Sequence, residues 1–324
     1  MTRLIKIIIN IQILLIKLIL NILIPRNILL DKYSSLRVFL IKKTIEFRSF
    51  IFKKINYQIS FQSNLLNNYA KVGDVFLDTS LTSRYFKLTS NLKYYNEGEW
   101  YAKFFKKTSQ RIFIDIGSNI GEISAQIAKT FPKAKILSVE GNKENAMVQK
   151  RNMQINNIKN VILENKIITI SGKKKFITSN LGTENYSLSK SDVKLMEKNE
   201  YQKNSSISLI NLLKKYKIKN IDFIKIDIEG SVPDLEEDIG YLLKKKRIKY
   251  IDVSIEKNSY NAYENLINVL TKKSTIYHVY PHSDKKERIT KKYLIKKLKK
   301  ILPLQFQGNN GAGMELLFKF NNSL

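Results

Sequence analysis

The chain has 324 residues, 43% of them hydrophobic, enough to bury one substantial core and a smaller second piece. It has no cysteine and only two histidines, His278 and His282, which excludes disulfides, thiolate nucleophiles and Cys- or His-rich metal sites. Its formal net charge of +29 is what an anionic partner would attract, but the lysines are spread along the chain as on a solvated surface, with no arginine clusters or stacking aromatics at fixed spacing.

Residues 4–24, LIKIIINIQILLIKLILNILI, hold sixteen Ile or Leu and five polar residues. A helix of that length is about 30 Å long, the thickness of a bilayer core. Arg3, Lys6, Asn10, Lys17 and Asn21 share one narrow sector at 100° per residue, and only Gln12 breaks the stripe. A thin basic stripe on an apolar helix suits a helix lying in the membrane interface, while spanning the bilayer and docking on the protein's own core both stay open. Residues 1–27 are therefore an N-terminal apolar helix. Residues 28–108 form a mixed, largely helical region that includes a helical-looking run at 34–55 and the aromatic stretch YYNEGEWYAKFF at 94–105.

From residue 109 to the end the pattern is regular. Strands are predicted at 111–115, 135–140, 160–165, 221–230, 248–256, 274–280 and 314–320, with a hairpin arm at 173–179. Helices are predicted at 121–131, 143–156, 207–216, 234–246, 260–273 and 291–302. Strands alternating with helices predict a parallel sheet covered on both faces. Such sheets bind ligands at the carboxyl ends of their strands, which puts Asp115, Glu140, Asn165, Asp227 and Glu256 along one rim.

Three rim segments carry chemistry. The turn Gly117-Ser118-Asn119-Ile120-Gly121 lets backbone amides approach a ligand closely. It has neither the phosphate-loop spacing nor the G-x-G-x-x-G fingerprint of dinucleotide folds. Asp115 beside it disfavours pyrophosphate and suits a ligand with a cationic centre. Glu140, ending the next strand, is placed to accept hydrogen bonds from two ribose hydroxyls. Lys225-Ile226-Asp227-Ile228-Glu229-Gly230 sets a lysine and two carboxylates on alternate positions of a strand end, where they can contact ligand and acceptor.

The three segments FIDIGSNIG, SVEGNKENAMVQKRNMQINNIKNVILENKII and IDFIKIDIEG resemble, in order and spacing, the FkbM family of S-adenosylmethionine-dependent methyltransferases across about 109–256. The resemblance implies a class I, Rossmann-like, doubly wound α/β sheet of seven strands with the last antiparallel, here with an N-terminal helical extension. It implies S-adenosyl-L-methionine as cofactor and O-methylation of a hydroxyl on a sugar, glycan or glycolipid. Asp115, Gly117, Ser118, Asn119 and Gly121 match the first cofactor motif. Glu140 and Asn142 match the ribose-binding E-P-N, with Gly141 in place of proline. Asn165 and Lys166 match the segment bordering the adenine, and Asp227, Glu229 and Gly230 match K-x-D-x-E-G. Two acids usual in the family are replaced, by Val232 and Ile210.

Methyl transfer to oxygen rests mainly on alignment, helped by a base that takes the hydroxyl proton. Asp227 is the first candidate for that base and also a cofactor contact. Glu229 is the second candidate and Glu256 a distant third. A divalent cation joining Asp227 and Glu229 lacks a third ligand, so no metal site is expected. The expected location is the cytoplasm, with peripheral membrane contact through residues 4–24. Two alternatives stand beside this reading: an RNA or other nucleic-acid methyltransferase, motivated by the charge, and a catalytically degenerate membrane-associated protein of the same fold.

Overall fold

The computed structural model describes residues 69–78, 97–169, 176–179, 201–228, 232–255, 260–279, 286–299 and 314–320. The expected helices at 4–24 and 34–55 lie outside the described residues, as do Glu229, Gly230, Glu256 and His282. Among the described residues no helix is long and apolar enough to cross a membrane.

The chain divides into two units, residues 1–71 with 76–92, and residues 72–75 with 93–324. A two-stranded sheet, β1 (Tyr69–Val72) and β2 (Val75–Asp78), turns through Gly73 at a φ of 55°. Everything below concerns the second unit.

That unit contains, in chain order, α1 (Glu97–Tyr101), β3 (Ile112–Ile116), α2 (Glu122–Thr130), β4 (Lys135–Val139), α3 (Lys143–Ile155), β5 (Val161–Glu164) and β6 (Ile167–Ile168). There follow β7 (Phe176–Ser179), β8 (Tyr201–Asn204), β9 (Ser206–Ile207), α4 (Leu209–Lys215), β10 (Ile221–Ile226), a 3-10 turn at Val232–Leu235 and α5 (Glu236–Lys244). Then come β11 (Ile248–Ile255), α6 (Tyr260–Thr271), β12 (Ser274–Val279), β13 (Lys286–Ile289), α7 (Lys291–Leu298) and β14 (Met314–Phe320).

The main sheet has the order β13-β12-β14-β11-β10-β3-β4-β5. Strands β11, β10, β3, β4 and β5 run parallel, and β14 inserts antiparallel between β11 and β12. This is the class I methyltransferase sheet, seven strands with the last in sequence antiparallel, extended by β13 at one edge. The sequence gives little sign of β13, because KERI is a charged four-residue edge segment with only Ile289 buried. Two small pairs lie outside the main sheet: β6 runs parallel to β9, and the expected hairpin arm β7 runs antiparallel to β8.

The central strands are apolar on both faces because helices cover both. On one face Ile114, Ile116, Leu137, Val139, Ile224, Ile226, Ile251 and Val253 join Leu212, Ile239, Leu266, Leu270 and Leu294 from α4 to α7 in one buried cluster. On the other, Phe113, Ile136, Phe223 and Leu317 pack with Trp100, Tyr101, Phe105, Ile127 and Phe131. Tyr101 and Phe223 have ring centroids 4.4 Å apart, and Phe105 and Phe113 are edge-to-face at 5.5 Å. The aromatic stretch around Trp100 is therefore part of the core of this unit.

This second face changes character along the strands. One level, Ile136–Phe113–Phe223–Tyr250, is apolar or aromatic; the next level toward the carboxyl ends reads Ser138–Asp115–Lys225–Asp252. All four of those polar residues are buried. The opposite face at the same height stays wholly apolar, so the polar row must serve the rim directly above it.

Candidate active site

The turn after β3 is folded onto the end of β4. The amides of Gly117 and Ser118 both donate to the Val139 carbonyl, at 2.9 and 3.1 Å, and the Gly121 amide donates to the Ser118 carbonyl at 2.8 Å. Three residues of the turn have left-handed backbone: Gly117 (φ 82°), Asn119 (φ 51°) and Gly121 (φ 81°). Glycine meets that need without strain. A Cβ on Gly117 would also stand 2.0 Å from the Asp227 carbonyl oxygen, so this turn and the end of β10 touch backbone to backbone.

Ser118 and Asp115 face inward. The Ser118 hydroxyl donates to Gln149 Oε1 at 3.0 Å. Asp115 lies one level below the rim, and its Oδ2 accepts from the Ser124 hydroxyl at 2.6 Å. Ser124 and Ser138 share a hydrogen bond of 2.7 Å, and Gln149 Nε2 donates to the Ser138 hydroxyl. Burial pushes the Asp115 carboxyl up to about 6, against the opposing pull of Ser124 and Lys225. The turn thus rests on a chain of side chains running Asp115–Ser124–Ser138–Gln149–Ser118.

Glu140 ties two loops together. Its Oε2 accepts from the Asn119 amide at 2.8 Å and its Oε1 from the Asn142 amide at 2.7 Å. Burial raises this carboxyl above the ordinary glutamate value, and the two amides oppose the rise. Asn142 serves the site through α3: its side-chain oxygen caps the helix, accepting from the amides of Glu144 and Asn145 at 2.8 and 3.2 Å. Such a cap is worth about 1 kcal/mol. Asn165 Nδ2 donates to the Glu140 carbonyl at 2.7 Å, and Lys166 Nζ donates to the Ser205 hydroxyl at 2.5 Å. The proposed adenine border therefore holds the backbone of the proposed ribose acid.

Asp227 lies just past the end of β10, and its side chain is 40% exposed. Its amide donates to the Ile116 carbonyl at 2.9 Å, locking it beside the turn. Lys225, two residues earlier on the same face, does not reach the rim as its place in the motif suggests. It is 3% exposed, and its ammonium lies 2.7 Å from Glu315 Oε1 and 3.7 Å from Asp227 Oδ2. The Tyr101 hydroxyl donates to Asp252 Oδ2 at 3.0 Å, and Asp252 and Ser254 hydrogen-bond Glu315. Burial raises the Glu315 carboxyl, but the Lys225 charge and these hydrogen bonds bring it below the ordinary value.

The structure thus gathers Asp115, Gly117, Ser118, Asn119, Gly121, Glu140, Asn142, Asn165, Lys166 and Asp227 at one end of the sheet. Several act through the backbone they hold. Gln149, Ser124, Ser138 and Glu315 complete the arrangement and escape a reading of the rim alone. The two replaced acids have structural explanations. Val232 is 1% exposed and belongs to the large apolar cluster. Ile210 sits in the first turn of α4, where its amide donates to Asp238 Oδ2 at 3.2 Å. An acid is thus present near 210, on α5, and it serves the helix end.

The sheet order is that of the class I methyltransferase fold. Residues 115–273 match the family model of the methyltransferase FkbM domain. Over that span, a little under half of the chain, it resembles this family of S-adenosylmethionine-dependent methyltransferases. No curated protein matches the chain in sequence. Similar solved structures include a METTL16 MTase domain, at 15% identity and a TM-score of 0.39, covering 69% of this chain and 66% of that one. An rRNA methylase from Streptococcus thermophilus gives 9% and 0.38, covering 69% and 93%. TrmK from M. capricolum, in complex with S-adenosyl-homocysteine, gives 10% and 0.35, covering 70% of each chain.

The site fits that cofactor on its own geometry. Asp115, Glu140 and Asp227 give a negative field for a sulfonium and an ammonium, Gly117 and Gly121 let the turn pack closely against Asp227 and Gln149, and Asp115 Oδ1 is buried without a hydrogen-bond partner.

Proposed function

We propose that this protein methylates a hydroxyl of a sugar, glycan or glycolipid, with Asp227 as the base. The supporting observation is the place of Asp227: its backbone abuts Gly117 of the turn after β3, and its carboxylate stands above the buried polar row, 3.7 Å from Lys225, and is partly exposed to solvent. When bound, S-adenosylmethionine supplies a methyl group on a sulfonium sulfur, which departs with the electron pair of the broken bond as the acceptor oxygen takes the methyl. Gly117, Asn119 and Glu140 orient the donor; Asn165 and Lys166 border its adenine. Asp227 lies beside the donor turn and accepts the acceptor's proton. Glu229 stands two residues further as a second acid. Residues 4–24 would bring the domain to a membrane carrying a lipid-linked acceptor.

The test is Asp227→Asn in the full chain. Calorimetry with S-adenosylmethionine and its demethylated product should show binding within a few-fold of wild type, while transfer of labelled methyl groups to a total lipid and glycan extract is lost. Transfer at the wild-type rate would remove Asp227 from the chemistry. No heat with either ligand from the folded wild-type protein would leave only the degenerate reading. The +29 charge favours nucleic acid as a second acceptor class, and its signature is methyl transfer to RNA that falls steeply with added salt.

A further inference from the structure

Lys225 is a buried ammonium, and burying a charge costs several kcal/mol unless it is paired and hydrogen-bonded. Its surroundings are heavily acidic. Asp115 on β3 and Asp252 on β11 are its cross-strand neighbours, and Glu315 on β14 and Asp227 past the end of β10 are its ion-pair partners. Tyr101 from α1 holds Asp252 at 3.0 Å from the far side. Asp115, Asp252 and Glu315 are enclosed, whereas the Asp227 side chain is 40% exposed. The ammonium is therefore anchored from within by Glu315 and stands 3.7 Å from Asp227, the most exposed of these acids.

The two distances divide the work. Lys225 lies 1.0 Å closer to Glu315 than to Asp227, at 2.7 against 3.7 Å. A lysine closed fully onto Asp227 would hold that carboxylate as a permanent ion pair and weaken it as a base. A lysine absent altogether would remove from the Asp227 carboxylate the ammonium that lies 3.7 Å from it. Glu315 lies beyond the family-matched span of 115–273, so the matched motif does not contain the group that sets this balance.

We propose that Lys225 is the positioning residue for Asp227, and that Glu315 holds the ammonium back so that the Asp227 carboxylate stays aligned yet able to take a proton. This rests on the reading of Asp227 as the base, and it extends the working site to β14.

The experiment uses the full chain with aspartate labelled at the carboxyl carbon. The Asp227 signal is identified by its loss in Asp227→Asn and followed against pH in wild type, Lys225→Met and Glu315→Gln. Removing the ammonium should move the Asp227 transition to higher pH, by about one unit or more for a charge this close. Removing the competing negative charge at 315 should move it to lower pH. Opposite displacements support the proposal; coincident curves, or displacements in the same direction, overturn it. If Lys225→Met does not fold, the near-isosteric Glu315→Gln decides alone, a downward move supporting the proposal and an unmoved curve refuting it. Calorimetry with S-adenosylhomocysteine on the same samples keeps the two claims apart: absent binding in wild type sinks the methyltransferase reading, while the titration still judges the clamp.

Discussion

A Cβ placed on Gly117 stands 2.0 Å from the carbonyl oxygen of Asp227, so the proposed cofactor turn and the proposed base are fixed to each other through backbone alone. At Gly121 the atoms met are the side chain of Gln149, the nearest at 2.4 Å. Both glycines have positive φ, and both substitutions carry left-handed strain of about 1 kcal/mol. They differ in what must move. Gly117→Ala forces apart two strand ends, whereas Gly121→Ala displaces one side chain, Gln149, from its hydrogen bonds to Ser118 and Ser138. Gly117→Ala should weaken S-adenosylmethionine binding more than tenfold, and Gly121→Ala by less. Calorimetry on the two variants checks the order, and a reversed order would show that the turn is not seated on β10.

Asp115 gives a pH signature. Its carboxyl titrates near 6 in the folded chain, against an ordinary value of 3.8, because burial disfavours the charge. The folded state thus holds this proton more tightly than the unfolded state. Stability is greatest below about 3.8 and falls as pH rises to about 6, by on the order of 3 kcal/mol from this group. Asp115→Asn removes the titration. Lys225 then loses one acidic neighbour but keeps Glu315 at 2.7 Å. The Asn variant should therefore gain stability over wild type as pH rises from 4 to 7, measured as the difference in urea midpoints. Glu140 shifts in the same direction, and because the Asp115 charge is one of the causes, its shift is smaller in the Asn variant and adds to the same difference. Parallel curves would mean that the buried carboxyl is solvated after all.

Much of the sheet was legible because its strands obey simple rules. Short apolar runs end on acids or glycines, separated by helices of ordinary length, and the rim order follows from them. The layer beneath the rim was less legible. Lys225 and Asp115 sit directly opposite each other on neighbouring strands, a relationship created by register and invisible in a sequence where they lie far apart. Glu315, opposite Ser254 one level nearer the rim, reaches Lys225 only because β14 folds back antiparallel beside β11. The buried face of α3 was readable in principle: Asn145, Gln149, Asn152 and Asn156 recur at helical spacing, and all four are buried. A rule that equates polar with exposed turns that stripe outward.

Gln149 is the member of the stripe with most to do. Its amide accepts from Ser118 and donates to Ser138, bracing the proposed cofactor turn from below. Gln149→Leu keeps the volume and leaves the Ser118 hydroxyl buried without its acceptor. A stability loss of about 1–3 kcal/mol is expected, with a several-fold loss of donor affinity as the turn loosens. Met147, exposed on the opposite side of α3, provides the contrast: Met147→Ala should change neither quantity appreciably. Chemical denaturation and calorimetry on the pair give the comparison, and equal effects would deny the brace.

Gly141 stands where the family commonly has proline, and its neighbour explains the exchange. A Cβ at 141 would lie 2.7 Å from Ile167 Cγ1, inside the contact limit, and that carbon is close to the main chain rather than at a flexible tip. Ile167 therefore fills the space that a ring or methyl would occupy, on the strand that follows the proposed adenine border. The Gly141 carbonyl meanwhile accepts from Asn165 Nδ2 at 3.3 Å, so the loop is held without a rigid residue. Gly141→Ala should cost about 1–3 kcal/mol by overpacking. Ile167→Ala should also destabilise, by opening a cavity. Together they should cost clearly less than the sum, because the methyl at 141 enters the space the isoleucine leaves. A double-mutant cycle on unfolding free energies measures that coupling; strict additivity would mean that the loop relaxes on its own and that the glycine is not matched to Ile167.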